Sequence, residues 1–259
     1  MSFEFIKKLP TPEEIRNQYP VDAEIQALKE KRDAEIRDVF TGKSDKFLAI
    51  IGPCSADNED AVCDYLLRLR KVQEKIEDKV LIIPRVYTNK PRTTGEGYKG
   101  MVHQPDPEKK PNLLAGLIAI RKMHMRAIRE SGFTCADEML YPENYRYLSD
   151  LLSYVAVGAR SVEDQQHRLT VSGMDVPAGM KTQLAVTQRY AEFHRCSSGC
   201  TPLYLQKLGS RDNRQSACPC YSSWRCKQHG EAIPNYHYED LRLLWEKYQE
   251  KTLKSGCYR

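Results

Sequence analysis

Short apolar runs alternate along much of the chain with longer stretches in which apolar residues recur every three or four positions. A continuous apolar run of four to eight residues is typical of a strand that is buried on both faces of a sheet. Runs of this kind predict strands at about residues 47–51, 80–83 and 154–157, and two further strands are predicted at about 133–139 and 176–180.

The stretches between these runs have the spacing of amphipathic helices. They predict helices near residues 61–76, 113–128, 145–152 and 162–169, and two earlier ones that begin near Pro12 and Asp22. Strands that alternate with helices favour a parallel sheet, either doubly wound or a (β/α)8 barrel. No Gly-x-Gly-x-x-Gly follows the first strand, which disfavours a dinucleotide-binding fold. We therefore predict an α/β fold of the TIM-barrel type with an N-terminal helical extension.

Composition narrows the class of protein. The chain has 259 residues, 29% of them charged, and a mean hydropathy of −0.62. No apolar run approaches the ~18–20 residues of a membrane span, and residues 1–10 lack the apolar core of a signal peptide. We expect a soluble cytoplasmic protein with no membrane or nucleic-acid partner.

Chemically useful side chains follow the predicted strands, where barrel proteins place their working residues. Cys54 and Arg85 follow the first two strands, and Lys90-Pro91-Arg92-Thr93-Thr94 comes soon after. Glu138, Arg160 and Lys181 lie at the ends of the next three strands. Cations that converge from several strand ends suit a small, multiply charged anion. The alternatives are an inert buried cysteine and a solvated basic loop.

These motifs resemble the class I 3-deoxy-D-arabino-heptulosonate 7-phosphate (DAHP) synthases over about residues 1–181. The resemblance is carried by Gly52-Pro53-Cys54-Ser55, Arg85, Lys90 to Thr94, Gly158-Ala159-Arg160-Ser161 and Gly179-Met180-Lys181. It implies condensation of phosphoenolpyruvate with erythrose 4-phosphate, the first step of the shikimate pathway. It also implies a divalent metal of the Mn, Fe, Co or Zn type, a homo-oligomer, and feedback inhibition by an aromatic amino acid.

The resemblance also implies a role for each matching residue. Cys54 corresponds to the thiolate ligand of the metal, and Glu138 to a carboxylate near the metal and the lysine. The phosphoenolpyruvate clamp corresponds to Arg85, Lys90, Arg160 and Lys181, and the sugar-phosphate binder to Arg92 and Thr93. Lys90, Glu138 and Lys181 are the residues predicted to be catalytic.

The family pattern stops at Thr182 and returns at Gly230. Residues 182–229 hold five of the nine cysteines and a net charge of +5, equal to that of the whole chain. We interpret this segment as a compensated reading-frame shift, because codons that encode residues 203–226 can, read one position out of frame, yield the family-like peptide YIYKNWEVETTGNPLAHAILRGAV. The alternative is a zinc-binding insert, but the Cys218-x-Cys220 spacing is a poor chelate. Disulfides are disfavoured in a cytoplasmic chain.

The predicted organisation has four parts: a helical extension (1–45), the first part of the barrel (46–181), a segment without packed structure (182–229), and a barrel helix with a tail (230–259). We expect an incomplete barrel that lacks three of the family's four metal ligands. We therefore expect a chain with little or no catalytic activity and a tendency to aggregate. The alternative function is a non-catalytic remnant that binds an intact paralogue.

Overall fold

The computed structural model describes residues 8–92, 96–158 and 161–180 with their side chains. It also describes the backbone of Lys181, Thr182 and five short strands between 203 and 233, and helical positions 238, 239, 242 and 246. The chain divides into two compact units, Met1–Val155 and Ala156–Arg259. None of the helices in the described ranges is long and apolar enough to span a membrane.

The first unit opens with two helices whose starts are set by capping side chains. Helix α1 is Pro12–Gln18, and Thr11 forms a capping box with Glu14, whose amide donates to the threonine hydroxyl at 3.2 Å. Helix α2 is Ala23–Phe40, and the Asp22 carboxylate accepts from the amide of Ile25 at 2.9 Å. Both side chains satisfy amides that have no partner inside a helix, and both helices begin where the sequence predicts.

The rest of this unit alternates strands and helices. The elements are β1 Phe47–Ile51, α3 Glu59–Ile76, β2 Val80–Pro84, α4 Leu113–Ser131, β3 Ala136–Glu138 and α5 Pro142–Tyr145. Strand β4, Tyr154–Val157, follows and runs past the end of the unit at Val155. Strands β1 and β2 pair in parallel, with Phe47 opposite Val80. A parallel bridge between Arg85 and Ala136 links the end of β2 to β3, and β3 neighbours β4. The prediction of an α/β fold with parallel strands is confirmed.

The helix predicted at 145–152 is wrong. Helix α5 ends at Tyr145, and the chain then continues in turns through Leu151. The carbonyl of Tyr147 accepts a hydrogen bond from the Arg121 guanidinium at 3.0 Å. The Tyr147 carbonyl therefore accepts a hydrogen bond from a side chain on α4 instead of one from a helix amide.

Arg121 also connects the N-terminal extension to the rest of the first unit. Its side chain is fully buried, donates to the carbonyl of Tyr19 at 2.7 Å, and forms a two-pronged ion pair with Asp150 at 2.8 Å. Arg32 on α2 makes a similar link, donating to the carbonyl of Ile82 at 2.6 Å. Buried guanidinium groups of this kind hold elements together because their N–H groups donate to partners on different elements.

The second unit contains α6 Gln165–Ser172 and β5 Ala178–Thr182, both shifted two or three residues towards the C-terminus from their predicted positions. Five short strands follow: β6 Leu203–Leu205, β7 Leu208–Ser210, β8 Cys220–Ser222, β9 Arg225–Cys226 and β10 Ala232–Ile233. Strand β8 pairs with β5 in parallel, whereas β6–β7 and β9–β10 are antiparallel pairs. The side chains of residues 182–229 lie outside the described residues, and the expectation that this segment is unpacked stays a prediction.

Candidate functional site

The loop after β2 is shaped by its own backbone. Lys90 donates its amide to the carbonyl of Lys99 at 3.3 Å, and Val102 donates to the carbonyl of Thr88 at 3.2 Å. Gly100 makes this turn possible because its φ is +94° and an added Cβ would lie 2.6 Å from the Thr88 oxygen. Only glycine adopts such a conformation at low cost. The loop thus folds back and keeps Lys90 near the end of β2.

The segment after β1 lies directly against the segment after β2. At Gly52 an added Cβ would stand 2.7 Å from the carbonyl oxygen of Arg85, so the two backbones approach more closely than any other residue allows. Ala56 then donates its amide to the carbonyl of Tyr87 at 2.8 Å. These two contacts place Cys54 beside the β2 loop.

Cys54 and Lys90 form a polar pair at this junction. The Lys90 ammonium donates to the Cys54 sulfur at 2.7 Å and lies 3.5 Å from the Cys54 carbonyl oxygen. The pKa of the Cys54 thiol is lowered, first by this hydrogen bond and then by the charges of Lys90 and Arg85; desolvation and Glu138 act in the opposite direction. An exposed thiol with a depressed pKa is available as a thiolate, the form that binds metals and attacks electrophiles.

The other cations of the site are only partly satisfied. The Arg85 guanidinium lies over the Tyr87 ring, 4.2 Å from its centroid, and its buried Nε has no hydrogen-bond partner among the described residues. Arg92 is exposed and donates to the carbonyl of Tyr98 at 2.8 Å. Within the described residues, none of Arg85, Lys90 and Arg92 forms an ion pair with a carboxylate. The site therefore presents positive charge suited to an anion.

Glu138 ends β3 next to a buried polar cluster. The neighbouring Asp137 is 3% exposed and accepts from the amide and hydroxyl of Thr88, while His124 lies 3.4 Å away. Asn89 donates its side-chain amide to the Glu138 carbonyl at 3.3 Å. The sequence indicated Glu138, but not the roles of Thr88, His124 and Asp137. The only hint was a histidine on the apolar face of a predicted helix.

A small pocket with a volume of about 20 Å³, partly open to solvent, adjoins Glu138. Its walls include Asn89 and Asn144, together with the apolar side chains of Ile120, Leu148 and Val155. The side-chain oxygen of Asn89 and the side-chain nitrogen of Asn144 are buried without hydrogen-bond partners in the described part of the chain.

The structure brings together Cys54, Arg85, Lys90 and Glu138, with Arg92 further along the same loop. Thr93 and Arg160 lie outside the described residues. Lys181 lies on β5 of the second unit, where its backbone is in register with Tyr221; its side chain is also outside the described residues.

The described residues do not form a metal site by themselves. No group of three or more His, Cys, Asp or Glu side chains comes together within the described ranges. Catalytic metals are normally held by about three protein ligands, and Cys54 is a single candidate.

The fold and site define an α/β protein with a cluster of cations at the carboxyl ends of parallel strands. Comparison with known proteins identifies the family. Residues 18–252 match the model of the DAHP synthetase I family. The chain belongs to this family, which confirms the resemblance found in the sequence.

Individual relatives agree with this assignment. The chain is 33% identical over 173 residues to the Tyr-sensitive phospho-2-dehydro-3-deoxyheptonate aldolase of Escherichia coli K12, covering 67% of this chain and 48% of the relative. It is 36% identical to the phenylalanine-inhibited aldolase of Saccharomyces cerevisiae, covering 67% and 46%. The structure of the aldolase from Francisella tularensis superimposes with a TM-score of 0.85 at 24% identity, covering 96% of this chain and 73% of that one. That likeness shows a shared fold.

The chain spans about half the length of the curated relatives it matches.

Proposed function

We propose that the chain binds phosphoenolpyruvate and derives from an enzyme that condenses it with erythrose 4-phosphate to give DAHP and phosphate. This is the first step of the shikimate pathway, which leads to the aromatic amino acids. The observation that carries the proposal is a set of cations after β2, namely Arg85, Lys90 and Arg92, that form no ion pair with a carboxylate among the described residues, in a chain that belongs to this family.

The charges match the substrate. Phosphoenolpyruvate has a phosphate and a carboxylate, and fixed cations can neutralise both while they orient the enol carbon. In the described part of the chain, Arg85 has a buried Nε without a hydrogen-bond partner, and the Lys90 ammonium donates to the Cys54 sulfur. By the family resemblance, Arg160 and Lys181 complete the clamp.

The second substrate is assigned by the same resemblance. Arg92 and Thr93 are proposed to bind the phosphate of erythrose 4-phosphate. Glu138 is proposed to act beside Lys90 and Lys181, and its charge already acts on the Cys54 thiol.

Several broader features belong to the proposal. The fold is an incomplete (β/α)8 barrel with the four-part organisation predicted from the sequence, and the protein is cytoplasmic and homo-oligomeric. Relatives are named Tyr-sensitive and phenylalanine-inhibited, which supports feedback control by an aromatic amino acid here. A divalent metal at Cys54 is proposed from the family. Impaired activity follows if Cys54 lacks further ligands.

The frame-shift interpretation of residues 182–229 is also a proposal. The first two curated relatives match over 173 residues, whereas the family match extends over residues 18–252. Sequencing the gene around codon 182 tests it. Replacing residues 203–226 with the frame-restored peptide should increase solubility and stability; a restored chain that is less soluble than the original would contradict the interpretation.

The binding test is calorimetric titration of the full chain with phosphoenolpyruvate. Arg85→Gln should weaken binding by about tenfold or more, because a charge-assisted hydrogen bond to phosphate is lost. The matched control is Arg68→Gln, since Arg68 is an exposed arginine paired with Asp64. Equal affinity in the wild type and Arg85→Gln would contradict the proposal.

Turnover is measured as phosphate release from phosphoenolpyruvate that depends on erythrose 4-phosphate and added Mn²⁺. We expect little or none. Clear turnover that Cys54→Ala abolishes would show that the expected impairment is wrong and that other ligands complete the site. Binding without turnover favours the non-catalytic alternative.

A further inference from the structure

Asp137 is a buried carboxylate that contacts the loop after β2, helix α4 and the next residue of its own strand. One oxygen accepts the amides of Thr88 at 2.8 Å and of Glu138 at 2.7 Å. The other accepts from the Thr88 hydroxyl and lies 3.4 Å from Nε2 of His124 on α4. Thr88 and His124 are fully buried. Burying a carboxylate in this way is costly unless donors surround it, and here they do.

The hydrogen bonds from Thr88 hold the segment that carries Lys90. Thr88 lies two residues before Lys90, and its carbonyl also accepts from Val102. Asn89 is tied to the Glu138 carbonyl, and the Lys90 backbone to Lys99. Each residue from 88 to 90 is therefore held by at least one hydrogen bond. The two hydrogen bonds from Thr88 to β3, from its amide and its hydroxyl, both end on the Asp137 carboxylate.

The same carboxylate stands beside Glu138 in the chain and orients its amide. Lys90, through Thr88, and Glu138, through its own amide, are thus both held by the buried carboxylate of Asp137. His124 has a second ring nitrogen, Nδ1, that is buried without a partner in the described residues. Its only hydrogen-bonding contact in that part of the chain is Asp137, which indicates that the imidazole is present to support the carboxylate.

We propose that Asp137 is a positioning residue, which through Thr88 sets the place of Lys90 relative to Cys54 and Glu138. The expected effect on phosphoenolpyruvate affinity rests on the proposed function, because that function assigns Lys90 to phosphoenolpyruvate. The role of Asp137 in positioning Lys90 does not depend on that function. Displacing a catalytic group by about 1 Å is enough to reduce function strongly, so loss of the Thr88 hydroxyl link should be visible in ligand affinity.

The test uses the full chain and the variants Thr88→Val, Thr88→Ser and Asp137→Asn. Thr88→Val keeps the shape of the side chain and removes the hydroxyl, whereas Thr88→Ser keeps the hydroxyl. The matched control is Ser131→Ala, which removes another buried hydroxyl, one bonded to the Ala127 carbonyl on α4. Each variant is measured for its melting midpoint and its Kd for phosphoenolpyruvate. Amide exchange in the peptide that covers residues 86–92 is also measured.

We expect Thr88→Val and Asp137→Asn to stay folded and to raise the Kd by about tenfold, while Thr88→Ser and Ser131→Ala stay near the wild type. A folded Thr88→Val with wild-type affinity overturns the proposal. So does loss of the folded state in both Thr88→Val and Asp137→Asn, since the role would then be structural.

If the wild type binds no phosphoenolpyruvate, the proposed function fails, and amide exchange decides the positioning role alone. Exchange in residues 86–92 should be faster in Thr88→Val than in both the wild type and Ser131→Ala. Equal exchange in all three overturns the proposal.

Discussion

The arginines on helix α4 and the cations at the strand ends differ in whether carboxylates of the protein neutralise their charge. Arg121 on α4 is fully buried and donates hydrogen bonds to the Asp150 carboxylate and to the carbonyls of Tyr19 and Tyr147. One and a half turns later, Arg126 pairs with three carboxylates, those of Glu59, Asp60 and Glu130.

At the strand ends the pattern reverses. Within the described residues, Arg85 has a buried Nε without a partner, and Lys90 contacts a cysteine instead of a carboxylate. Repulsion between such cations costs stability, whereas paired arginines contribute it or are neutral. Charge that the protein leaves unneutralised therefore indicates the candidate ligand site better than the presence of charge alone.

The largest expected effect is on the structural side. Arg121→Ala should lower the free energy of unfolding by about 3–5 kcal/mol, because it leaves a cavity and removes the buried partner of Asp150. The measurement is urea denaturation of the full chain. Arg126→Ala, on the same helix but partly exposed, is the matched control and should lose far less. Similar losses in the two variants would break the comparison.

The next effect concerns the backbone that shapes the site. Gly100→Ala should cost about 2–3 kcal/mol, because alanine resists a positive φ and its Cβ would overlap the Thr88 carbonyl. Gly173→Ala is the control, since the nearest atom to its added Cβ is 3.8 Å away. Both are measured by thermal and urea unfolding. An unchanged stability in Gly100→Ala would show that the loop adapts without strain.

A smaller effect is expected in the reactivity of Cys54. The pKa of its thiol is lowered mainly by the hydrogen bond from Lys90, with Arg85 assisting and Glu138 opposing. The thiolate therefore persists to lower pH, and iodoacetamide should modify Cys54 at lower pH than a free cysteine. Lys90→Met should raise the pKa and slow alkylation at pH 7 by at least about threefold, since below the pKa the thiolate fraction changes about tenfold per pH unit.

Peptide mapping by mass spectrometry follows each cysteine separately. Cys63 is the internal control, because burial raises the pKa of its thiol to about 11, and it should react slowly in both proteins. A Cys54 rate that does not change in Lys90→Met would rule out the lysine as the source of the reactivity.

The smallest expected effect is that of Arg85 on stability. Arg85→Gln removes the contact with the Tyr87 ring but also an uncompensated cation, so the free energy of unfolding should change by no more than about 1 kcal/mol. Urea denaturation checks this on the same samples used for ligand titration. A loss as large as that of Arg121→Ala would mean that Arg85 is structural and would weaken its assignment to a ligand.

Much of the fold was predictable because it depends on neighbours in the chain. The bounds of β1 and β4 match the predicted runs, and the caps at Thr11 and Asp22 lie three residues from the amides they bind. The helix predicted at 145–152 was misplaced, and within that stretch the Tyr147 carbonyl accepts from Arg121, which lies 26 residues away in sequence.

For the candidate site, too, some features could be predicted from the sequence and others only from the folded structure. The positions of Cys54, Arg85, Lys90 and Glu138 at strand ends, and the family to which they belong, could be inferred from the sequence, because strand order and motif spacing are local properties. Which of these groups touch, and what holds them, could not. The contact of Lys90 with Cys54 spans 36 residues and that of Thr88 with Asp137 spans 49. Only the folded chain brings such partners together, because parallel strands align their carboxyl ends across the intervening helices.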